Sequence, residues 1–308
     1  MAVGSFLDDG ARQRYQRAYE QALAQMESPD RTADVPTAFG TVRAYVWDTN
    51  GVDGVPVLLL PGRSSGVPMW QENLADLLPH RRVIAFDALG DAGMSQQTAP
   101  LTSMADQACW IDEALTWLGE NRVHLVGHSF GGATAAAVAV ERPGRVASLA
   151  LLEPVFTLAW PPLPTFLWTT VASLPVPQRV RDQALARIGG VHVADIRART
   201  PVSEMIASAS SGFRAALPVP RLLSQAQLAG LQMPVYVAIA QRSSLAGGER
   251  AANRARTIPH AQVEIWPDTT HSLPMQAHDR LAERLADFWS AAPEWPPTPP
   301  AAGIDPAA

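Results

Sequence analysis

The chain has one cysteine in 308 residues, no lysine, and only 17% charged residues, with a net charge of −5. A lone cysteine cannot close an intrachain disulfide. Cys109 sits in a helical pattern with Trp110 and Leu115, where it reads as a small buried residue. Every basic residue is an arginine, a matter of genomic composition and not of chemistry. A mildly acidic chain offers no basic face to nucleic acid. No apolar run reaches membrane-spanning length, and Asp8, Asp9, Arg12 and Arg14 interrupt any leader-like apolar core. A cytoplasmic protein without a membrane span is therefore expected. The histidines and carboxylates show no metal-ligand spacing such as H-E-x-x-H, and no phosphate loop or dinucleotide fingerprint occurs, so neither metal nor cofactor is expected.

What is present is an alternation of short apolar runs with helical patterns, on a length that suits one globular domain with an insertion. Residues 1–36 form a helical extension: Tyr15, Ala18, Tyr19, Ala22, Leu23 and Met26 share one side of a helix over 8–27, which Ser28-Pro29-Asp30 stops. From Val35 to Trp47 the pattern is strand-like, and residues 50–54 make a turn. Buried strands are expected at 55–60, 82–87, 123–128, 146–152, 235–239 and 262–266. Helices are expected at 70–78, 104–118, from Ala133 to Val140, and at 279–289. Such alternation predicts a mostly parallel sheet with helices on both faces. The rhythm breaks between Pro154 and residue 231. Residues 37–155 and 231–290 are then two parts of one core, 156–230 is a helical cap, and 291–308 is a proline-rich disordered tail. Trp160 and Trp168 are the cap aromatics that could line a substrate pocket.

Val123-His124-Leu125-Val126-Gly127-His128-Ser129-Phe130-Gly131 is the stretch that carries chemistry. It is G-x-S-x-G between an apolar run and an alanine-rich helix, the strand–turn–helix context in which a serine is held exposed beside a base. Gly127 and Gly131 remove side-chain bulk where segments crowd, and the helix that follows aims N–H groups at developing negative charge.

In the order of its pieces, residues 38 to 290 resemble the α/β-hydrolase superfamily: a loop at Leu60-Pro61-Gly62-Arg63, a D-x-x-G turn at Asp87 to Ser95, the serine elbow, and a last strand leading to His271. The N-terminal helix and the longer Gly-Asp-Ala-Gly turn are similar to a carboxylesterase-like subgroup. The resemblance implies Ser129 as nucleophile, His271 as base, and the backbone N–H groups of Arg63 and Phe130 as an oxyanion hole. Pro61 replaces the family's usual histidine there but leaves the backbone donors. The acid is where the chain departs. The Gly-x-x-Asp position of many relatives falls on Ser243, which carries no charge. Glu153, at the end of the strand after the nucleophile strand, takes its place, as in relatives such as the haloalkane dehalogenases; Glu249 and Asp268 are the alternatives. Asp87 is read as holding its turn and Asp91 as solvated or capping. The implied activity is hydrolysis of a small-molecule carboxylic ester through an acyl-enzyme. A lyase, cyclase or acyl transferase on the same fold is the second reading, and a non-catalytic ligand-binding protein the third.

Overall fold

The computed structural model describes residues 3–48, 54–163, 167–168, 170–171, 174, 176–198 and 200–291. The turn residues 50–53 and the tail expected beyond 291 lie outside the described residues.

In chain order the strands are β1 (Ser5–Phe6), β2 (Arg31–Thr37), β3 (Gly40–Trp47), β4 (Val57–Leu60), β5 (Val83–Phe86), β6 (Gln96–Gln97), β7 (Val123–His128), β8 (Val146–Leu152), β9 (Phe213–Arg214), β10 (Val235–Ala240) and β11 (Ala261–Trp266). The main sheet runs β2-β3-β5-β4-β7-β8-β10-β11, with β6 on β3. Pairings from β5 to β11 are parallel, while β3 is antiparallel to both β2 and β5. β4, β5, β7, β8 and β10 are buried at every residue, which matches their predominantly apolar sequences.

One expectation needs correcting. The strand-like stretch from Val35 to Trp47 is part of a hairpin of two strands, the first of which starts earlier, at Arg31. Its polar start hides it: β2 is the sheet edge, where Pro36 costs no ladder bond and Asp34 pairs with Arg43 across the hairpin at 2.6 Å. Gly40 sits at φ 137, and an added Cβ would meet the Gln96 carbonyl oxygen at 2.1 Å, so only glycine can start β3 under β6.

Helices cover both faces. α3 (Met104–Leu118) and α4 (Phe130–Glu141) pack on one face with Glu249–Ala255. α1 (Asp9–Leu23), α2 (Gln71–Leu77) and His278–Ala291 pack on the other. α3 is bounded as its sequence dictates, by a Ser103–Asp106 capping box and by Gly119 in the left-handed conformation. α4 is buried from Phe130 to Ala139, which explains its string of alanines and its lack of an amphipathic stripe. Between β8 and β10 the chain forms the helices Gln178–Gly189, Val193–Arg197, Pro201–Gly212 and Gln225–Gly230. The sequence gives no sign that the N-terminus ties into this insertion. β1 pairs with β9, and α1 packs on Pro201–Gly212 so closely that a Cβ on Gly212 would stand 2.9 Å from the Ala11 Cβ. Among the described residues no helix is long and apolar enough to cross a membrane.

Candidate active site

Parallel pairing brings the C-terminal ends of β4, β7, β8, β10 and β11 to one edge of the sheet, where open α/β sheets build their sites. Ser129 follows β7 directly, at φ 55 and ψ −117, a conformation that side chains rarely adopt. The glycines on either side make the turn possible. A Cβ on Gly127 would stand 2.3 Å from the Gly131 carbonyl oxygen, and one on Gly131 would stand 2.3 Å from that of Leu60. The Ser129 N–H donates to the Leu152 carbonyl (3.0 Å), which ties the elbow to the end of β8.

His271 stands between β11 and the helix Leu273–Gln276, with Nε2 2.9 Å from Ser129 Oγ and Nδ1 3.2 Å from Glu153 Oε2. An ionised carboxylate only accepts, so Nδ1 carries the proton and Nε2 accepts from the Ser129 hydroxyl. Glu153 is fully buried and sits at φ 49. Beyond His271 its carboxylate accepts from the N–H groups of Ala240 (2.8 Å), Leu245 (2.8 Å) and Ala246 (3.3 Å) and from the Ser244 hydroxyl (2.7 Å). The other acids point elsewhere. Asp268 is 80% exposed and paired with Arg242, and Glu249 is exposed in the first turn of its helix.

His128, the middle residue of the motif, lies beneath the site. Its Nε2–H donates to the His271 carbonyl oxygen at 2.8 Å, and its rings are 4.8 Å from those of His271. Burial, and then the neighbouring His271, lower its pKa to about 3, so it stays neutral and adds no charge beside His271.

The loop after β4 passes close to Ser129: a Cβ on Gly62 would be 3.2 Å from Ser129 Cβ. Its N–H groups are shared out in a definite way. Gly62 donates to Met69 Sδ (3.2 Å), Ser64 to Asp91 (2.6 Å), Ser65 to the Gly62 carbonyl (3.2 Å) and Val67 to Asp87 (2.8 Å). Arg63 has an exposed side chain, and its N–H is not among those engaged. Phe130, the first residue of α4, presents its N–H at the helix start, where the helix dipole is positive.

Asp91 is not solvated. It is 5% exposed and also accepts from the Ala92 N–H at 2.8 Å; desolvation raises its pKa to about 6. Asp87 holds its turn through the Met94 N–H and also accepts from the Tyr19 hydroxyl, which hydrogen-bonds Tyr45. Sequence periodicity marks Tyr15 and Tyr19 as the buried side of α1. That they stand behind the loop after β4 depends on contacts remote in sequence, and no local pattern signals it.

An apolar cluster of Phe130, Val155 and Leu245, extended by Met104, Phe156, Ile188 and Leu217, starts at the residue after Ser129, and the Val155 N–H donates to the Ser129 carbonyl at 3.2 Å. Of the two tryptophans expected at a pocket, Trp160 is 57% exposed, edge-on to Phe156 and lining a groove of about 1000 Å³ with Met104, Ala133 and Thr157. Neither Ser129 nor His271 lines that groove. Trp168 is half-buried under the Arg187 guanidinium, 6.0 Å from its ring centre.

This sheet order, with a serine elbow after β7 and a histidine after β11, defines the class, and residues 55–199 match the family model described as the alpha/beta hydrolase fold. The chain has the alpha/beta hydrolase fold. It is similar along most of its length to carboxylesterase YbfK of Bacillus subtilis (strain 168), at 24% identity over 89% of this chain and 93% of that protein. The uncharacterized carboxylesterase nap of the same organism is 23% identical over 90% of this chain and 93% of that protein. The crystal structure of naproxen esterase (carboxylesterase NP) from Bacillus subtilis shares the fold, with a TM-score of 0.82 at 21% identity over 92% of this chain and 99% of that chain.

Proposed function

We propose that the chain hydrolyses carboxylic esters through an acyl-enzyme on Ser129. The carrying observation is the continuous hydrogen-bonded line from Ser129 Oγ to His271 Nε2 (2.9 Å) and from His271 Nδ1 to Glu153 (3.2 Å). The similarity to carboxylesterases supports ester hydrolysis in general. In the first half-reaction Ser129 Oγ attacks the ester carbonyl carbon while His271 Nε2 takes the hydroxyl proton. The carbonyl electron pair moves onto oxygen, and the Arg63 and Phe130 N–H groups donate to that oxyanion. Collapse expels the alcohol, which takes the proton from His271. Water then repeats the sequence on the acyl-enzyme and releases the acid. Glu153 holds the His271 tautomer and stabilises the imidazolium that forms twice per turnover.

Residues 156–230 act as the cap in this reading, and the apolar cluster around Phe130, Val155 and Leu245 selects an apolar acyl or alcohol group by burial. Trp160 and Trp168 contribute at its outer margin. A fluorophosphonate probe tests the proposal: wild type is labelled stoichiometrically and Ser129→Ala is not, with p-nitrophenyl ester turnover falling roughly 10⁶-fold in that variant. Undiminished turnover in Ser129→Ala would sink the acyl-enzyme.

A further inference from the structure

The loop after β10 holds no carboxylate between Gln241 and Gly248, yet it wraps around one. Ser243, at φ 46, reverses the chain so that the Leu245 and Ala246 N–H groups and the Ser244 side chain all face Glu153. Ser244 is 7% exposed, and its Oγ accepts from the Gly248 N–H at 3.1 Å. The carboxylate cannot donate, so the single hydroxyl hydrogen is directed at Glu153 Oε1, 2.7 Å away.

The two carboxylate oxygens are thereby divided. Oε1 is held by Ser244 and the Ala240 N–H, and Oε2 by Leu245, Ala246 and His271. A glutamate has one more rotatable bond than the aspartate it replaces, and its terminal torsion is broad. Something must stop the carboxylate turning away from the imidazole. We propose that Ser244 is a positioning residue of the reaction: anchored by the Gly248 N–H, it clamps Oε1 and so keeps Oε2 turned to His271 Nδ1. The loop that holds the acid in many relatives here holds the donor that makes an acid on β8 usable. The inference rests on the reading of Glu153 as the acid.

Ser244 is buried and acts through Glu153, so its loss is expected to act on kcat and spare KM. The full-length chain is assayed on a p-nitrophenyl ester as wild type, Ser244→Ala, Ser244→Thr and Glu153→Gln, with kcat expressed per fluorophosphonate-labelled site and thermal midpoints measured alongside. Ser244→Ala is expected to lower kcat about tenfold with KM within about twofold, the size of one hydrogen bond to a charged group. Ser244→Thr, which keeps the hydroxyl, is expected to recover most of the loss. Ser244→Ala with wild-type kcat per site, or Ser244→Thr no better than Ser244→Ala at an equal midpoint, overturns the proposal. If either result comes with a collapse in Glu153→Gln, the acid assignment stands and only the role of Ser244 falls. Wild-type turnover in Glu153→Gln would remove the acid assignment itself.

Discussion

Two buried carboxylates, Glu153 and Asp91, are treated differently. Glu153, on the His271 side, receives two backbone N–H groups and a hydroxyl at 2.7–2.8 Å, a longer N–H contact, and the imidazole. Asp91, behind the loop after β4, receives two backbone N–H groups, and burial raises its pKa to about 6 despite them. Both are almost without solvent, so the contrast lies in the number of donors. Glu153 is ringed by donors that include the His271 imidazole, whereas the donors of Asp91 are the Ser64 and Ala92 N–H groups of the loops it joins. The proposed function gives Glu153 a part in the chemistry, whereas Asp91 ties together backbone of two loops.

The largest test of that contrast is Glu153→Gln. The amide keeps the shape but loses the charge and forces one of its ends against donors, so kcat should fall on the order of 10⁴-fold in a protein that still folds. Steady-state kinetics on a soluble ester would show it. A greater loss in Asp91→Asn than in Glu153→Gln would invert the comparison.

Asp91→Asn should act on stability. The Asp91 pKa is raised from 3.8 to about 6, so the folded protein binds more protons than the unfolded chain between these values. The aspartate's contribution is therefore most favourable below pH 4, declines as pH rises to about 6, and is constant above. The asparagine does not titrate. Its stability relative to wild type should accordingly rise between pH 4 and 6 by on the order of 2–3 kcal/mol, measured by urea unfolding. A difference that is flat across that window would show that burial does not raise the Asp91 pKa. His124 and His128, lowered to about 4 and about 3 by burial, drive the opposite trend in the wild type, which is why the comparison must be made between variants.

The smallest effect belongs to Asp268→Asn. This carboxylate is 80% exposed, and its pairing with Arg242 is a surface contact. Turnover within about twofold of wild type, at an unchanged unfolding midpoint, is expected. A large loss of turnover would return Asp268 to contention as the acid.

Much of the site could be read along the chain because its demands are local. Gly127 and Gly131 answer backbone approaches at 2.3 Å, and the strand before Ser129 and the helix after it follow from apolar periodicity. The capping box of α3 and the buried runs of β4, β7, β8 and β10 are equally local. Local cues failed at β2, where an edge strand needs no apolar pattern, and at Asp91, where a short acidic turn residue gives no sign of burial. His128 stands in the middle of the motif, yet its bond to the His271 carbonyl joins positions far apart in the chain.

The sequence by itself determined the parallel α/β architecture, the serine elbow, the late histidine and the absence of an acid at position 243, because apolar periodicity, glycine spacing and residue type are properties of short segments. Only the tertiary structure decided which carboxylate meets His271, what holds it, and how the N-terminal helix stands behind the loop after β4. Those are agreements among β7, β8, β10 and β11 and α1. They form when parallel pairing brings strand ends together and when burial strips the carboxylates of water, leaving the backbone N–H groups and hydroxyls of distant loops to take its place.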